Sequence, residues 1–269
     1  MKKAFAAKAV LVVLAFAVLA FAACEKKTEG QASVLRVGAT PVPHGDLLNL
    51  VKEDMAARGI TLEVTEFSDY ITPNMSLLDG SIDANFFQTL PYLEGNEEWS
   101  AGLVSVFGVH IEPFGLYSNK FNSLDELPQG ATISIPNDPS NGGRALLLLQ
   151  SHGLITLSEN AGLSATPQDI VDNPRGFNFK ELEAALLHPT LVDMDAATIN
   201  GNFAMQAGLN PVNDAIIIED SDSPYVNIVV VRRGDENDPR ILALQEALQS
   251  QKVRDFINAT YDGGVVPAF

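Results

Sequence analysis

Residues 35–67 read LRVGATPVPHGDLLNLVKEDMAARGITLEVTEF, and this stretch decides the fold class. Leu35 to Thr40 is a short apolar run with a β-branched centre, closed by Pro41 and Pro43. Asp46 to Ala57 follows with apolar residues at helical spacing (Leu47, Leu48, Leu50, Val51, Met55), and Arg58-Gly59 ends it. Ile60 to Phe67 then reads as a second strand. Strand, helix and strand in that order form a β-α-β unit, the building block of a parallel sheet with right-handed crossovers.

The alternation continues downstream. Thr72–Leu78 reads as a helix, Ala84–Phe87 as a strand end, and Leu103–Val109 and Phe114–Tyr117 as further extended segments. Residues 119–130 (NKFNSLDELPQG) are polar and loop-like. A second series then begins: strand 131–136, helix Gly143–His152, strand Phe177–Glu181, helix Glu183–Leu187, and extended segments at Ala196–Ile199, Ala215–Glu219 and Val226–Arg232. Asp238–Thr260 is a long terminal helical region. Leu78 to Ala84 and Leu191 to Ala196 echo each other, each ending a helix and opening a strand edge with Asp-Ala. The expected architecture is therefore two α/β lobes. Lobe 1 spans 35–118 and 226–269, and lobe 2 spans 119–225.

Upstream, Lys2, Lys3 and Lys8 precede an uncharged run from Ala9 to Ala23, too short to span a bilayer with its flanks. It ends in Phe21-Ala22-Ala23-Cys24, which holds the only cysteine of the chain. The pattern resembles a bacterial lipoprotein signal, in which the cysteine is lipidated and becomes the first residue of the mature chain. On this reading 1–23 is a signal peptide and 24–34 a lipidated tether, polar through EKKTEGQAS. About 245 residues remain, room for one large domain or two medium ones. One cysteine allows no internal disulfide, so stability comes from core burial. The formal net charge is −17, and removing the three signal lysines takes it to about −20. Such a surface argues against nucleic acid and against adhesion to anionic lipid. The lipid anchor is the only membrane attachment expected.

The chain carries no G-x-S-x-G, H-E-x-x-H, Walker or Rossmann signature. His44, His110, His152 and His188 lack ligand spacing, and Asp193-Met194-Asp195 alone makes no metal site, so no metal, cofactor or catalytic residue is expected. The strongest positive signal is Ile135-Pro136-Asn137-Asp138-Pro139-Ser140-Asn141-Gly142-Gly143-Arg144. Here a strand gives way to a helix capped by Ser140 or Asn141, whose free N–H groups suit an anion. Arg144 in that first turn works against the helix dipole, which an arriving carboxylate would relieve. Two readings stand open: a carboxylate clamp, or a solvent-facing arginine paired with Asp138.

A second signal is aromatic: Phe67, Tyr70, Phe86, Phe87 and Tyr92 fall near the C-terminal ends of strands, where open α/β sheets gather ligands. Flat rings suit a thioether, although core filling explains Phe67 and Phe86 as well. The third is a set of amides near strand ends, Asn200, Asn202 and Asn227, which both donate and accept.

These segments together resemble the methionine-binding lipoproteins of ABC importers, the NlpA-like substrate-binding proteins. The residues that carry the likeness are 66–70, 83–88, Pro91-Tyr92, 136–141, 144–146, Ile199-Asn200 and 223–227. The resemblance implies a two-lobe periplasmic-binding-protein-like fold (type II), hinge-linked, closing on one ligand in the inter-lobe cleft. It implies Tyr70, Phe87 and Tyr92 as walls of the side-chain pocket, with Thr89 where the family commonly has histidine. It also implies Arg144, Asn200 and Asn227, with Asn141 beside them, as binders of the amino-acid backbone. The expected function is capture of L-methionine outside the cytoplasm and delivery to a membrane permease with its ATPases. A methionine-containing dipeptide is the alternative ligand. An enzyme or an adhesin on this fold is less well matched, since arginine and asparagine are poor general bases and the surface is acidic.

Overall fold

The computed structural model describes residues 33–220 and 223–269. The expected signal peptide, Cys24 and the tether to residue 32 lie outside the described residues. β1 (Ser33–Ala39) buries Leu35, Val37 and Ala39. The helical stretch behind it is not continuous. It breaks at Val51 into α1 (Asp46–Leu50) and α2 (Lys52–Ala57), then Gly59 at φ 75° turns the chain into β2 (Ile60–Glu66). α3 (Thr72–Leu78) leads to β3 (Ala84–Thr89), which pairs parallel with β1, as the β-α-β pattern predicts.

Two short helices follow that the apolar pattern does not announce, α4 (Leu90–Glu94) and α5 (Glu97–Gly102). Each is too short to show a periodic stripe; α5 is marked only by its cap, where Asn96 Oδ1 accepts from the Trp99 amide. The strands β4 (Leu103–Ile111), β12 (Val226–Arg232) and β13 (Val266–Pro267) complete a six-stranded sheet in the order β13-β4-β12-β3-β1-β2. A second sheet has the order β11-β5-β10-β6-β9, with β5 (Gly115–Tyr117), β6 (Thr132–Pro136), β9 (Asn178–Leu182), β10 (Ala196–Ile199) and β11 (Ile217–Ile218). A small hairpin of β7 (Thr156–Leu157) and β8 (Ile170–Asp172) stands beside it.

Separate buried clusters cover both faces of each sheet. This is the arrangement expected of α/β layers. The chain crosses from the first sheet to the second at 112–114 and returns at 219–225. The first crossing therefore falls before Gly115, not after residue 118. β4 runs to Ile111, two residues past the expected segment, Pro113 beyond it cannot donate to a ladder, and β5 pairs with β10 and β11.

In the second sheet, α6 (Pro139–Ser151) starts four residues earlier than its apolar pattern suggests. Its cap is Asp138, which accepts from the Asn141 amide, and Pro139 fills the first turn. Ser140 and Asn141 lie inside the helix instead of capping it. α7 (Ala184–Thr190), α8 (Gly201–Gln206) and α9 (Pro211–Asp214) flank the same sheet. The terminal helical region divides into α10 (Pro239–Leu248) and α11 (Gln251–Thr260), because Ser250 caps the second by accepting from Val253 N.

Gly143 is where α6 meets the turn at 162–165. A Cβ there would overlap the Leu163 carbonyl and lie 2.9 Å from the Ala165 nitrogen, both backbone atoms that cannot swing aside. Gly143→Ala is expected to destabilise the fold by about 3 kcal/mol despite the helix preference of alanine. A urea midpoint equal to or above that of the wild type would show that the turn yields freely.

Candidate functional site

A crevice opens where the two sheets meet at the crossings. Tyr70, Phe87, Thr89, Tyr92, Asn141, Arg144, Asn200 and Asn227 all line it, joined by Gln88, Glu112, Gly201 and Asn202. Phe87 and Thr89 come from β3, Tyr92 from α4, Tyr70 from the loop after β2, and Asn227 from the start of β12. Asn141 and Arg144 come from the first turns of α6, and Asn200 stands between β10 and α8. Three consecutive residues of β3 reach one cavity because the strand is bulged. Val229 pairs with Phe86 and Ile228 with Gln88, leaving Phe87 as an extra residue.

The apolar end of the crevice is a box of rings. Tyr70 lies 5.8 Å from Phe87, 5.7 Å from Tyr92 and 4.9 Å from Phe203, centroid to centroid. Tyr92 leans on Trp99 at 5.4 Å and donates its hydroxyl to the Tyr70 carbonyl at 3.1 Å. Tyr70 also donates to Asn202 Oδ1 at 2.5 Å, a contact from the first lobe to the second. Burial pushes both tyrosine hydroxyls well above their usual range, so they act as neutral donors.

The polar end is built around Arg144, which is 5 % exposed. Its guanidinium is sandwiched between the rings of Tyr225 at 4.2 Å and Phe114 at 5.0 Å. Nε donates to Glu219 at 3.0 Å, and Nη2 donates to Glu219 and, at 3.0 Å, to the Glu112 carbonyl. The solvent-facing pair with Asp138 is not formed, since Asp138 is occupied as helix cap and by Asn141 Nδ2. Asn141 in turn accepts from Asn200 Nδ2 at 2.7 Å, so its amide orients Asn200. Asn200 Oδ1 and Asn202 Nδ2, one acceptor and one donor, are buried without a hydrogen-bond partner among the described residues.

Behind these lies a cluster of His44, His110 and Glu112, all buried. Glu112 Oε1 accepts from His110 Nε2 at 2.8 Å and faces His44 Nε2 at 3.3 Å. His44 Nε2 also meets Asn227 Oδ1 at 3.0 Å, while its Nδ1 pairs with the Thr40 hydroxyl at 2.8 Å. Both partners of Nε2 can only accept, so that nitrogen carries the proton. The three donor atoms lie close enough for a cation, but they are engaged with one another as a hydrogen-bonded web. Burial lowers His44 to about 4 and His110 to about 3, and it raises Glu112.

A family profile described as NlpA lipoprotein matches residues 35–269. The chain belongs to the NlpA lipoprotein family. It is 41 % identical over 273 residues to the "Methionine-binding lipoprotein MetQ" of Bacillus subtilis, covering 99 % of both chains. Among solved structures, a nutrient binding protein from Burkholderia cenocepacia bound to methionine superimposes with a TM-score of 0.84. Its identity is 42 %, and the match covers 87 % of this chain and 100 % of that one. An ABC transporter periplasmic substrate-binding protein from Coxiella burnetii matches with a TM-score of 0.83 and 43 % identity over 87 % of this chain and all of that one. The two-lobe fold expected of NlpA-like proteins is thus the observed one.

Pattern reading did not single out Glu112, Glu219 or Phe203, and it named Asn202 only as one amide among several. Glu112 had a local signal, a carboxylate immediately before the Pro113 that ends a strand. Glu219 and Phe203 had none, because they reach the crevice through contacts 75 and 133 residues away in sequence, with Arg144 and Tyr70.

The buried histidines make the fold acid-sensitive. Above pH 6.5 the rings are neutral in both states; below it the unfolded chain takes up protons that the fold refuses. Glu112 works in the opposite sense, but it is one carboxyl against two rings. Stability is expected to fall between pH 6.5 and pH 4, by on the order of 3 kcal/mol for His44 alone. Urea unfolding of the ligand-free protein at pH 7.5 and 4.5 checks this; equal midpoints would mean that the rings are charged in the fold.

Proposed function

We propose that this chain is the lipid-anchored, extracytoplasmic receptor of an ABC importer. It binds L-methionine in the crevice and hands it to a membrane permease driven by cytoplasmic ATPases. The observation that carries this reading is the juxtaposition of an aromatic box with a buried arginine and unpartnered amides. Together they complement a flexible thioether on one side and a zwitterion on the other. No bond is made or broken, and the residues at hand bind and orient. The methionine-bound Burkholderia relative supports the choice of ligand.

The mechanism is closure of one lobe on the other. Tyr70, Phe87, Thr89, Tyr92 and Asn227 belong to the first sheet's side, and Asn141, Arg144 and Asn200 to the second's. A ligand bridging both sides favours the closed arrangement by its extra contacts there, so a permease reads loaded from empty by shape. Among the described residues no helix is long and apolar enough to cross a membrane. The anchor is assigned to Cys24, and Cys24→Ser should abolish fatty-acid labelling; a variant that still labels would remove the anchor from this residue.

Calorimetry with methionine, leucine, glutamine and glycyl-methionine tests the ligand. Methionine should bind tightest, with Phe87→Ala weakening it by about 2–4 kcal/mol and Arg144→Ala by about 2–5 kcal/mol. Tighter binding of glycyl-methionine would transfer the site to a dipeptide, and no binding of any of the four would refute the reading.

A further inference from the structure

We infer that Glu112 is the counter-ion of the ligand's α-ammonium group, and that the crevice discriminates on this ammonium more than on the carboxylate. This rests on the amino-acid reading above. Glu112 sits on the first crossing, is 5 % exposed and lines the crevice together with Arg144 and Asn200. Oε1 takes hydrogen bonds from His110 and faces His44, and the Asn202 backbone amide donates to the same carboxylate. Oε2 lies against Gly201, where an added Cβ would come within 3.1 Å of it. The side chain is therefore held in one place by the first sheet, the crossing and the start of α8.

Every donor in that web is electrically neutral. His110 has a buried Nδ1 with no partner, which leaves a second ring proton nowhere to go. His44 spends its only proton on Asn227 and Glu112, while Nδ1 accepts from Thr40. Burial lowers both rings and keeps them uncharged at neutral pH. The web thus orients Glu112 without cancelling its charge.

The neighbouring cation does not cancel it either. Arg144 is bound bidentately to Glu219, which forms a neutral pair and leaves the guanidinium with direction but little net charge to offer. Asp138 lines neighbouring pockets instead and is committed to the α6 cap. Among the described residues, the charged groups that line the crevice are Glu112 and Arg144, and Glu219 behind Arg144 makes two acids against one cation. An uncompensated buried carboxylate is costly until a cation reaches it. An α-ammonium supplies that cation, and its remaining N–H groups find Asn200 Oδ1, an acceptor without a partner in the same cavity. A ligand with only a carboxylate would bring more negative charge to a site already in surplus.

Three ligands separate the head groups: L-methionine, L-methioninamide (ammonium without carboxylate) and 4-(methylthio)butanoate (carboxylate without ammonium). With the wild type, the butanoate should bind roughly 30-fold or more weakly than methionine, and methioninamide should lose less than that. Glu112→Gln, which keeps shape and removes charge, should weaken methionine by roughly 30-fold or more while leaving the butanoate unchanged. The inference is overturned if Glu112→Gln binds methionine like the wild type or weakens both ligands equally. It is also overturned if the wild type loses more from amidation than from loss of the ammonium. If Glu112→Gln fails to fold, the wild-type comparison decides alone. A wild type that binds none of the three ligands overturns the amino-acid reading itself, and this inference with it.

Discussion

One imidazole ties both crossings between the two sheets. His44 Nε2 lies 3.0 Å from Asn227 Oδ1 and 3.3 Å from Glu112 Oε1, residues at the two places where the chain passes from sheet to sheet. Because the ring is fully buried, it is kept neutral, and a neutral ring has one proton to give. The β4–β12 ladder sets the two strands side by side, and that single donor joins the Asn227 and Glu112 side chains at their ends, where the crevice begins. His110 and Phe86 pack around the same ring at 4.9 and 4.6 Å, so the junction is held by packing as well as by hydrogen bonds. A rigid junction with a polar interior suits two lobes that close on a ligand, since bending is left to the short segments beyond it.

The two ends of the crevice follow different physics. Around Tyr70 the rings meet edge-on or tilted at 4.9 to 5.8 Å, which is direct contact, so they form one continuous apolar wall against which a slim chain can lie. Tyr70 is also the residue that touches the opposite lobe, through the Asn202 amide and the Phe203 ring. On the proposed reading the wall of the pocket is part of the closing contact, so a ligand against it acts on closure directly. At the polar end, direction matters more than net charge. Arg144 is stacked on both faces by Tyr225 and Phe114 and held along one edge by Glu219, so its guanidinium is set before any ligand arrives. Preorganisation of this kind converts binding energy into affinity instead of spending it on ordering.

Legibility divided along the same line. What depends on local pattern could be read: the β-α-β unit at 35–67, the strand-turn-helix at 135–150, and the order of the motifs that carry the family likeness. All eight residues expected at the site line one cavity, which the sequence order alone could suggest only through that likeness. What depends on distant partners could not be read. Arg144 looked equally suited to Asp138 nearby, and the partner it has, Glu219, is brought in by β11 from the far side of the lobe. The helix cap shows the same thing on a smaller scale. Asp138, Ser140 and Asn141 are all acceptable caps, and the proline at 139 decides for Asp138.

The bulge in β3 is the clearest case of structure that alternation conceals. A regular strand would send Phe87 to one face and Gln88 to the other, and only one of them would belong to the crevice. The extra residue opposite β12 lets Phe87 and Gln88 share a face, and a buried amide network holds that irregularity in register. Asn74 on α3 accepts from Asn85 Nδ2 at 2.8 Å and from Gln88 Nε2 at 2.7 Å, and its own Nδ2 donates to Gln88 Oε1 at 3.0 Å. Sliding β3 by one residue would leave these amides unpaired in an apolar interior, which costs more than the apolar contacts alone would. The polar residues between the aromatic ones therefore set where the aromatic ones point. The side-chain amides of Asn85 and Gln88 are bonded to Asn74 and to each other, and they fix where Phe87 and Thr89 stand along the crevice.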